Sequence, residues 1–351
     1  MRLRLAIAVL LVVAFSLGVI YAWQYAVRRT RQAARSVVAQ IAVSVVQPVE
    51  ISRETSAVDL SGRDELTIEN EFGDIEIAVG GPTASIERVV YARGRAPEEA
   101  RSRGVSFRLE RSDDPEVGCR IVAEADGTDP NLRYATLKLV VKVPPQVAVR
   151  AVVTNGGIVA KGLGASVSAK SASGDIIIAD SGDGVSASSA SGNISVTRAQ
   201  GAVSVDSASG DVGVTWAQAG VTANCGSGNV RLEDVEGPVV ARTMDGDVSL
   251  RGVRSGQVAA TTMSGDVNVQ LTRPVSGKVE ARTQSGDIGV AIPSSSDCRV
   301  RATTNSGEVR SSLPLQDVTR AGPNISGRLG SGKGTVEVST GSGDITLAAA
   351  G

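Results

Sequence analysis

One short alternation of apolar and polar positions recurs along most of the chain, always around a glycine. A β-branched residue stands seven positions before that glycine (Val149, Val167, Val185, Val203, Val221, Val239, Val258, Val279, Val300 and Val336; Leu66 in the first copy). Isoleucine or valine stands two positions after it, from Ile75 and Ile158 through Val212 to Ile345, and alanine mostly fills the position five before. The central glycines are Gly73, Gly156, Gly174, Gly192, Gly210, Gly228, Gly246, Gly265, Gly286, Gly307 and Gly343. From Gly156 to Gly246 the interval is 18 residues every time; it then becomes 19, 21, 21 and 36. Period-two alternation on both sides of a fixed glycine predicts strand, turn, strand. Self-similarity at this period predicts a solenoid.

Each unit of 18–21 residues therefore reads as one coil with two short strands and two corners. Coils stacked at the inter-strand spacing of about 4.8 Å would give nine or ten layers and a length of roughly 45 Å. So narrow a coil admits only small side chains, which accounts for the alanine column. The class is all-β, with a β-solenoid over 149–351. Residues 50–148 break the period after one coil at Leu66–Ile77. Alternation at Val105–Leu109, Cys119–Ala123 and Leu137–Val143 predicts extra strands that cap the N-terminal end, with a short helix at 97–103. At the other end, Ile345 and Leu347 lead into Ala348–Gly351 with no charge or proline to block a strand edge. Open edges template pairing, so self-association or docking of another protein is expected at the C-terminal coil.

Before the repeats, Leu5–Val27 is apolar except for Ser16, Gly18 and Gln24. Twenty-three helical residues reach about 34 Å, enough to cross a bilayer. Tyr21, Trp23 and Tyr25 stand where interfacial aromatics belong. A cleaved signal peptide would need a better small-residue site than Ile20-Tyr21-Ala22. Residues 1–27 are thus expected to be a retained transmembrane anchor, and 28–49 a juxtamembrane helix or stalk. Counting Arg2 and Arg4 against four arginines at 28–35 slightly favours a cytoplasmic body.

Composition then narrows the chemistry. The 351 residues include no histidine, which removes imidazole-based triads, His-ligated metals and imidazole pH switching. Nine aromatics, four of them in the leader, provide no platform for stacking bases, and the chain beyond residue 35 has a net charge of −7. Nucleic acid is not an expected partner. The position after each turn glycine is mostly Asp or Asn. Asp175, Asp211, Asp247, Asp266 and Asp287 are the weak candidates for a cation site, but the same residues suit turns by accepting backbone hydrogen bonds. The turn role is preferred because Asn193 and Asn229 interleave neutral groups. Cys119, Cys225 and Cys298 form no C-x-x-C motif; Cys119 and Cys225 are expected to be buried, and a Cys119–Cys298 disulfide is the less favoured alternative. Gly327–Gly334 falls short of a phosphate loop because Gly334 replaces the required Ser or Thr. Arg88, Arg93, Arg95, Arg101, Arg103, Arg108 and Arg111 are offset by nearby glutamates and form a solvated face. A polysaccharide-acting β-helix enzyme would need long, irregular loops, and the 18-residue coils leave no room for them. No catalytic residue or cofactor is expected.

The Ser-Gly-Asp-Ile/Val turns, Val143-Pro-Pro145 leading to Thr154-Asn-Gly-Gly157, and Ile325–Gly334 followed by Ser342-Gly-Asp-Ile345 resemble the bacterial "putative adhesin" domain family of unknown function, the toastrack-type β-solenoids. The resemblance covers about residues 60–351. It implies an envelope-associated, non-enzymatic β-solenoid, often membrane-tethered. With the anchor, the expected location is the cell membrane with the β-solenoid outside the cytoplasm, and the expected partner is a protein or an envelope polymer.

Overall fold

Val185, Ala187 and Ser189 are buried whereas Ser186 is exposed, because successive side chains of a strand face opposite sides of its sheet. After the turn at Gly192 the pattern resumes in Ile194–Ala199, with Ile194, Val196 and Ala199 buried. These two strands are one coil, as the alternation predicts, and each coil contributes one strand to each of two sheets. The computed structural model describes residues 48–350 apart from 61, 95–96, 103–104, 115–117, 126 and 128. The anchor expected at 1–27, and all but the last two residues of the expected stalk, lie outside the described residues. Among the described residues no helix is long and apolar enough to cross a membrane.

The described residues divide into two units, one of 48–49, 92–94 and 97–102, the other within 50–91 and 105–350. The described part of the first holds the short helix Pro97–Ser102, with Glu98 and Glu99 in its first turn and Arg101 in its last, charges that suit the helix dipole.

The second unit contains the repeats. Among the described residues its sheets have 14 and 15 strands and share one continuous core of valine, isoleucine, leucine and alanine. Neighbouring coils pair in parallel and in register: Val167 lies opposite Val149 and Val185, and Ile176 opposite Ile158 and Ile194. Identical residues thus stack on one another through the core.

At the N-terminal side the first coil (Glu65–Asn70 and Ile75–Val79) stacks on the coil of Ala148–Asn155 and Ile158–Lys161. On its other side, Ala135–Val143 pairs with Ile75–Val79, and Gly118–Ala125 pairs with Glu65–Asn70. Phe107–Asp114 then adds antiparallel to Gly118–Ala125. Buried Asn70 fixes this junction, donating to the carbonyl of Leu137 at 2.9 Å and accepting from the amide of Phe72 at 3.0 Å. Two further strands, Val49–Val58 and Ala84–Ala92, are absent from the sequence-based expectation.

At the C-terminal side the expectation of an open final coil is overturned. Gly334–Ser342 lies between Lys278–Ser285 and Cys298–Ser306. Ile345–Ala350 likewise lies between Ile288–Pro293 and Val309–Ser311. The last coil in sequence is therefore an inner layer with partners on both sides. Register columns make this possible, because a coil bearing the same apolar pattern fits between any two others. The 36-residue interval before Gly343 supplies enough chain to return. Part of it forms the hairpin Gln316–Ala321 and Asn324–Leu329, which pairs antiparallel with Cys298–Ser306 and covers that edge. The neighbouring edge strand, Val309–Ser311, is only three residues long.

Candidate functional site

The repeated turn is where the polar residues of the sequence converge, and three adjacent columns occupy it. The first is the glycine column. Gly192 has φ 142°, a conformation that side chains rarely adopt, and a Cβ there would run into the carbonyl of Gly174. Glycine is required because the turns stack backbone on backbone.

The second column is the residue after each glycine, which includes all five cation candidates. The amide of Asn193 donates to Oδ1 of Asp175, that of Asp211 to Asn193, that of Asn229 to Asp211, and that of Asp247 to Asn229, at 2.8–2.9 Å. The ladder continues through Asp266 and Asp287 to Asp344, again at 2.8 Å. Each Asp or Asn thus holds the backbone of the next coil, and a carboxamide serves as well as a carboxylate. Among the described residues no group of three or more acidic or thiol side chains is placed to hold a metal ion.

The third column lies three residues before the glycine. Hydroxyls of Ser171, Thr243, Thr283 and Thr340 donate to the glycine carbonyls of adjoining coils at 2.9–3.1 Å. Cys225 takes the same position, its Sγ 3.2 Å from the carbonyl of Gly210. Alternation identifies this column as small and inward-facing; the hydrogen bond is legible only once the register is known. Cys119, Cys225 and Cys298 are all free and buried, so the disulfide alternative does not hold. Burial pushes all three thiols up, that of Cys298 to about 11.

The glycine-rich segment before Gly334 also has a structural task. Asp297 accepts from Ser331 Oγ at 2.8 Å and from the amide of Gly332 at 2.6 Å, pinning the loop that leads into the inserted coil. Of the candidate basic face, Arg88 pairs with Glu54 at 2.5 Å and Arg111 with Asp113 at 3.0 Å, so these charges are tied within the fold.

Two features of the outer surface stand apart from these columns. On the 15-stranded sheet, Ala172, Ala190, Ala208 and Gly226 line an open trough of about 750 Å³, with Lys170 and Asp206 beside them and Met244, 55% exposed, at one end. At the second corner a residue in left-handed conformation recurs at Asp180, Arg198, Trp216 and Asp234. Trp216 is half exposed there. Sequence reasoning counted this tryptophan only as one of few aromatics; its place six residues after Gly210 was the available signal.

Residues 138–348 match the family described as Toastrack DUF4097. Similar solved structures include a "putative lipid binding protein" from Parabacteroides distasonis, at 11% identity and TM-score 0.37 over 84% of this chain and 96% of that one. A "putative adhesin" from Bacteroides fragilis aligns at 10% identity and TM-score 0.33 over 84% and 97%. Another "putative adhesin", from Parabacteroides merdae, aligns at 12% and 0.32 over 84% and 95%. No curated protein matches the chain.

Proposed function

The chain belongs to the toastrack DUF4097 family, and on that premise we propose that it is a membrane-tethered, non-enzymatic binding module or scaffold of the cell envelope. One observation carries this reading. The recurrent polar residues are engaged in holding coil to coil, Asp175 to Asn193 and Thr243 to Gly228 among them, which leaves recognition to the non-repeating side chains of two long, open sheet faces. A stack hydrogen-bonded at every layer presents those faces without rearrangement, and preorganised surfaces lose little freedom on binding. The tether is the apolar segment Leu5–Val27, and the ligand is an envelope polymer or protein on the far side of the membrane.

Two measurements test it together. In intact cells, external protease should degrade the β-solenoid while a cytoplasmic marker survives. The full chain in detergent should co-sediment with purified peptidoglycan sacculi and release no new reducing ends from them. A protected body would contradict the location; released sugar would revive the polysaccharide-acting enzyme.

A further inference from the structure

We propose that the corner at Trp216 is a carbohydrate-binding subsite that takes the flat C–H face of a pyranose ring. The inference rests on the binding-module reading above and names a ligand class for it.

The left-handed corner position is occupied in successive coils by Gly162, Asp180, Arg198, Trp216, Asp234 and Gly252, with φ between 52° and 73°. Glycine takes this conformation without cost, whereas a bulky aromatic does not. The fold accepts glycine at both ends of the column, so nothing in the coil demands tryptophan. Nor does packing, since Trp216 is 49% exposed. It is also the only aromatic residue after Tyr134. A strained, exposed and unrepeated tryptophan is an outlier that folding does not explain, and such outliers concentrate at functional sites.

Its surroundings indicate the ligand. Trp216 lines a groove of about 350 Å³ with Asp180, Arg198, Gln200, Gln218 and Gly182. The backbone amides of Gln200 and Gln218 are bonded to the preceding coils at 2.9 and 3.1 Å, which fixes both residues on adjacent layers beside the ring. Each carboxamide is both donor and acceptor, as hydroxyl groups require. Arg198 is held by Asp180, with Nη2 to Oδ2 at 2.8 Å, so its charge is already answered and an anionic ligand gains little from it. Ala199, which lines the same groove, is buried. One apolar ring framed by polar groups is too small for a protein interface core or a membrane surface. It matches a sugar, apolar on one ring face and polar at the rim.

The test uses the full chain in detergent. The sequence holds two tryptophans, so Trp23→Phe leaves Trp216 as the sole emitter. Chitohexaose and cellohexaose are the probes, followed by Trp216 emission and by calorimetry. At least one should bind saturably and change the emission. Trp216→Gly should abolish that binding yet raise the Tm, showing that the variant is folded. Gln200→Ala and Gln218→Ala should each weaken it about tenfold, and Ser204→Ala, on the 15-stranded sheet, should leave it unchanged. No saturable signal from either sugar up to about 10 mM overturns the subsite. If neither sugar binds but the parent chain still sediments with sacculi, the subsite falls and the binding module stands; if neither sugar binds and the parent chain does not sediment, both fall.

Discussion

The backbone amide of Asp344 donates to Oδ1 of Asp287 at 2.8 Å, although 57 residues separate them in the chain. Asp344 in turn accepts from the amide of Glu308 at 2.9 Å. Those two bonds place the last coil in sequence inside the stack, so the C-terminal segment closes a gap between its predecessors.

It follows that Ile345→Asp should act as a central core substitution. Ile345 is fully buried between Ile288 and Val309, and a carboxylate there has no partner. The expected loss is about 4 kcal/mol in urea denaturation, with the transition broadened if the two coils part. Val318→Asp, on the exposed strand of the covering hairpin, should change stability by less than about 0.5 kcal/mol. Equal effects would contradict the inserted layer.

Inward and outward assignment has its own test in the regular coils. Val203 is buried between Val185 and Val221, while Ser204 beside it faces water. Val203→Asp should destabilise by several kcal/mol, on the order of 3–5, and Ser204→Asp should be nearly neutral. Thermal melts of the two variants decide it.

The regular coils were legible because a period of two around a fixed glycine leaves one assignment of faces, and Val203 against Ser204 follows from counting. The turn was legible as a turn, and the candidate aspartates as turn residues, because Asn193 and Asn229 stand in the same column. Order along the stack was not legible at its ends. Ile345 carries the same apolar signature as Ile288, and nothing local distinguishes a last coil from an inserted one. Only the 36-residue interval hinted at a detour. The strands Val49–Val58 and Ala84–Ala92 were missed for a related reason: Arg53, Glu54 and Glu87 break their alternation, and those residues are satisfied by ion pairs across 34 residues of sequence. Trp216 was missed because its meaning depends on a dihedral angle.

The glycine column predicts a contrast between two Gly→Ala substitutions. At Gly192, φ is 142° and the new methyl group would strike the carbonyl of Gly174, which is fixed in the next layer. A loss of about 3 kcal/mol is expected. Gly213 lies in the strand Val212–Ala217, where the nearest atom to a new Cβ is the carbonyl of Ile194 at 4.0 Å. Gly213→Ala should be neutral or stabilising by about 0.5 kcal/mol, as chemical denaturation would report.

The cysteines provide a test of burial that needs no mutation. Thiolate is the reactive form, and with the Cys298 pKa at about 11 only about one molecule in a thousand carries it at pH 8. Burial raises Cys119 and Cys225 as well. Native protein at pH 8 should therefore resist iodoacetamide over hours, and all three thiols should react once urea unfolds the chain. Rapid labelling of Cys225 in native protein would mean that the glycine turns around it open readily.

Asp297 yields a prediction for acid. Its hydrogen bond from Ser331, together with those from the amides of Gly332 and Lys333, holds its carboxyl below the ordinary carboxylate range. A group whose folded pKa is depressed adds stability above its unfolded value, about 3.9, and that contribution is lost as pH falls through the folded pKa. The anchorage of residues 330–333 should thus be complete at pH 6 and fade below about pH 4. Hydrogen-exchange protection of the Gly332 amide, which donates to Asp297 at 2.6 Å, is the direct measure. In the parent chain, protection relative to the intrinsic rate should drop between pH 5 and pH 2.5, before any global unfolding. Asp297→Asn keeps one acceptor oxygen but cannot titrate, so its protection should start lower and stay flat over the same range. Because this loop joins the covering hairpin to the inserted coil, the amide of Gly334, bonded to the Asp297 carbonyl at 2.8 Å, should follow Gly332 in the parent chain. The same acid-induced loss in Asp297→Asn would show that another group anchors the loop.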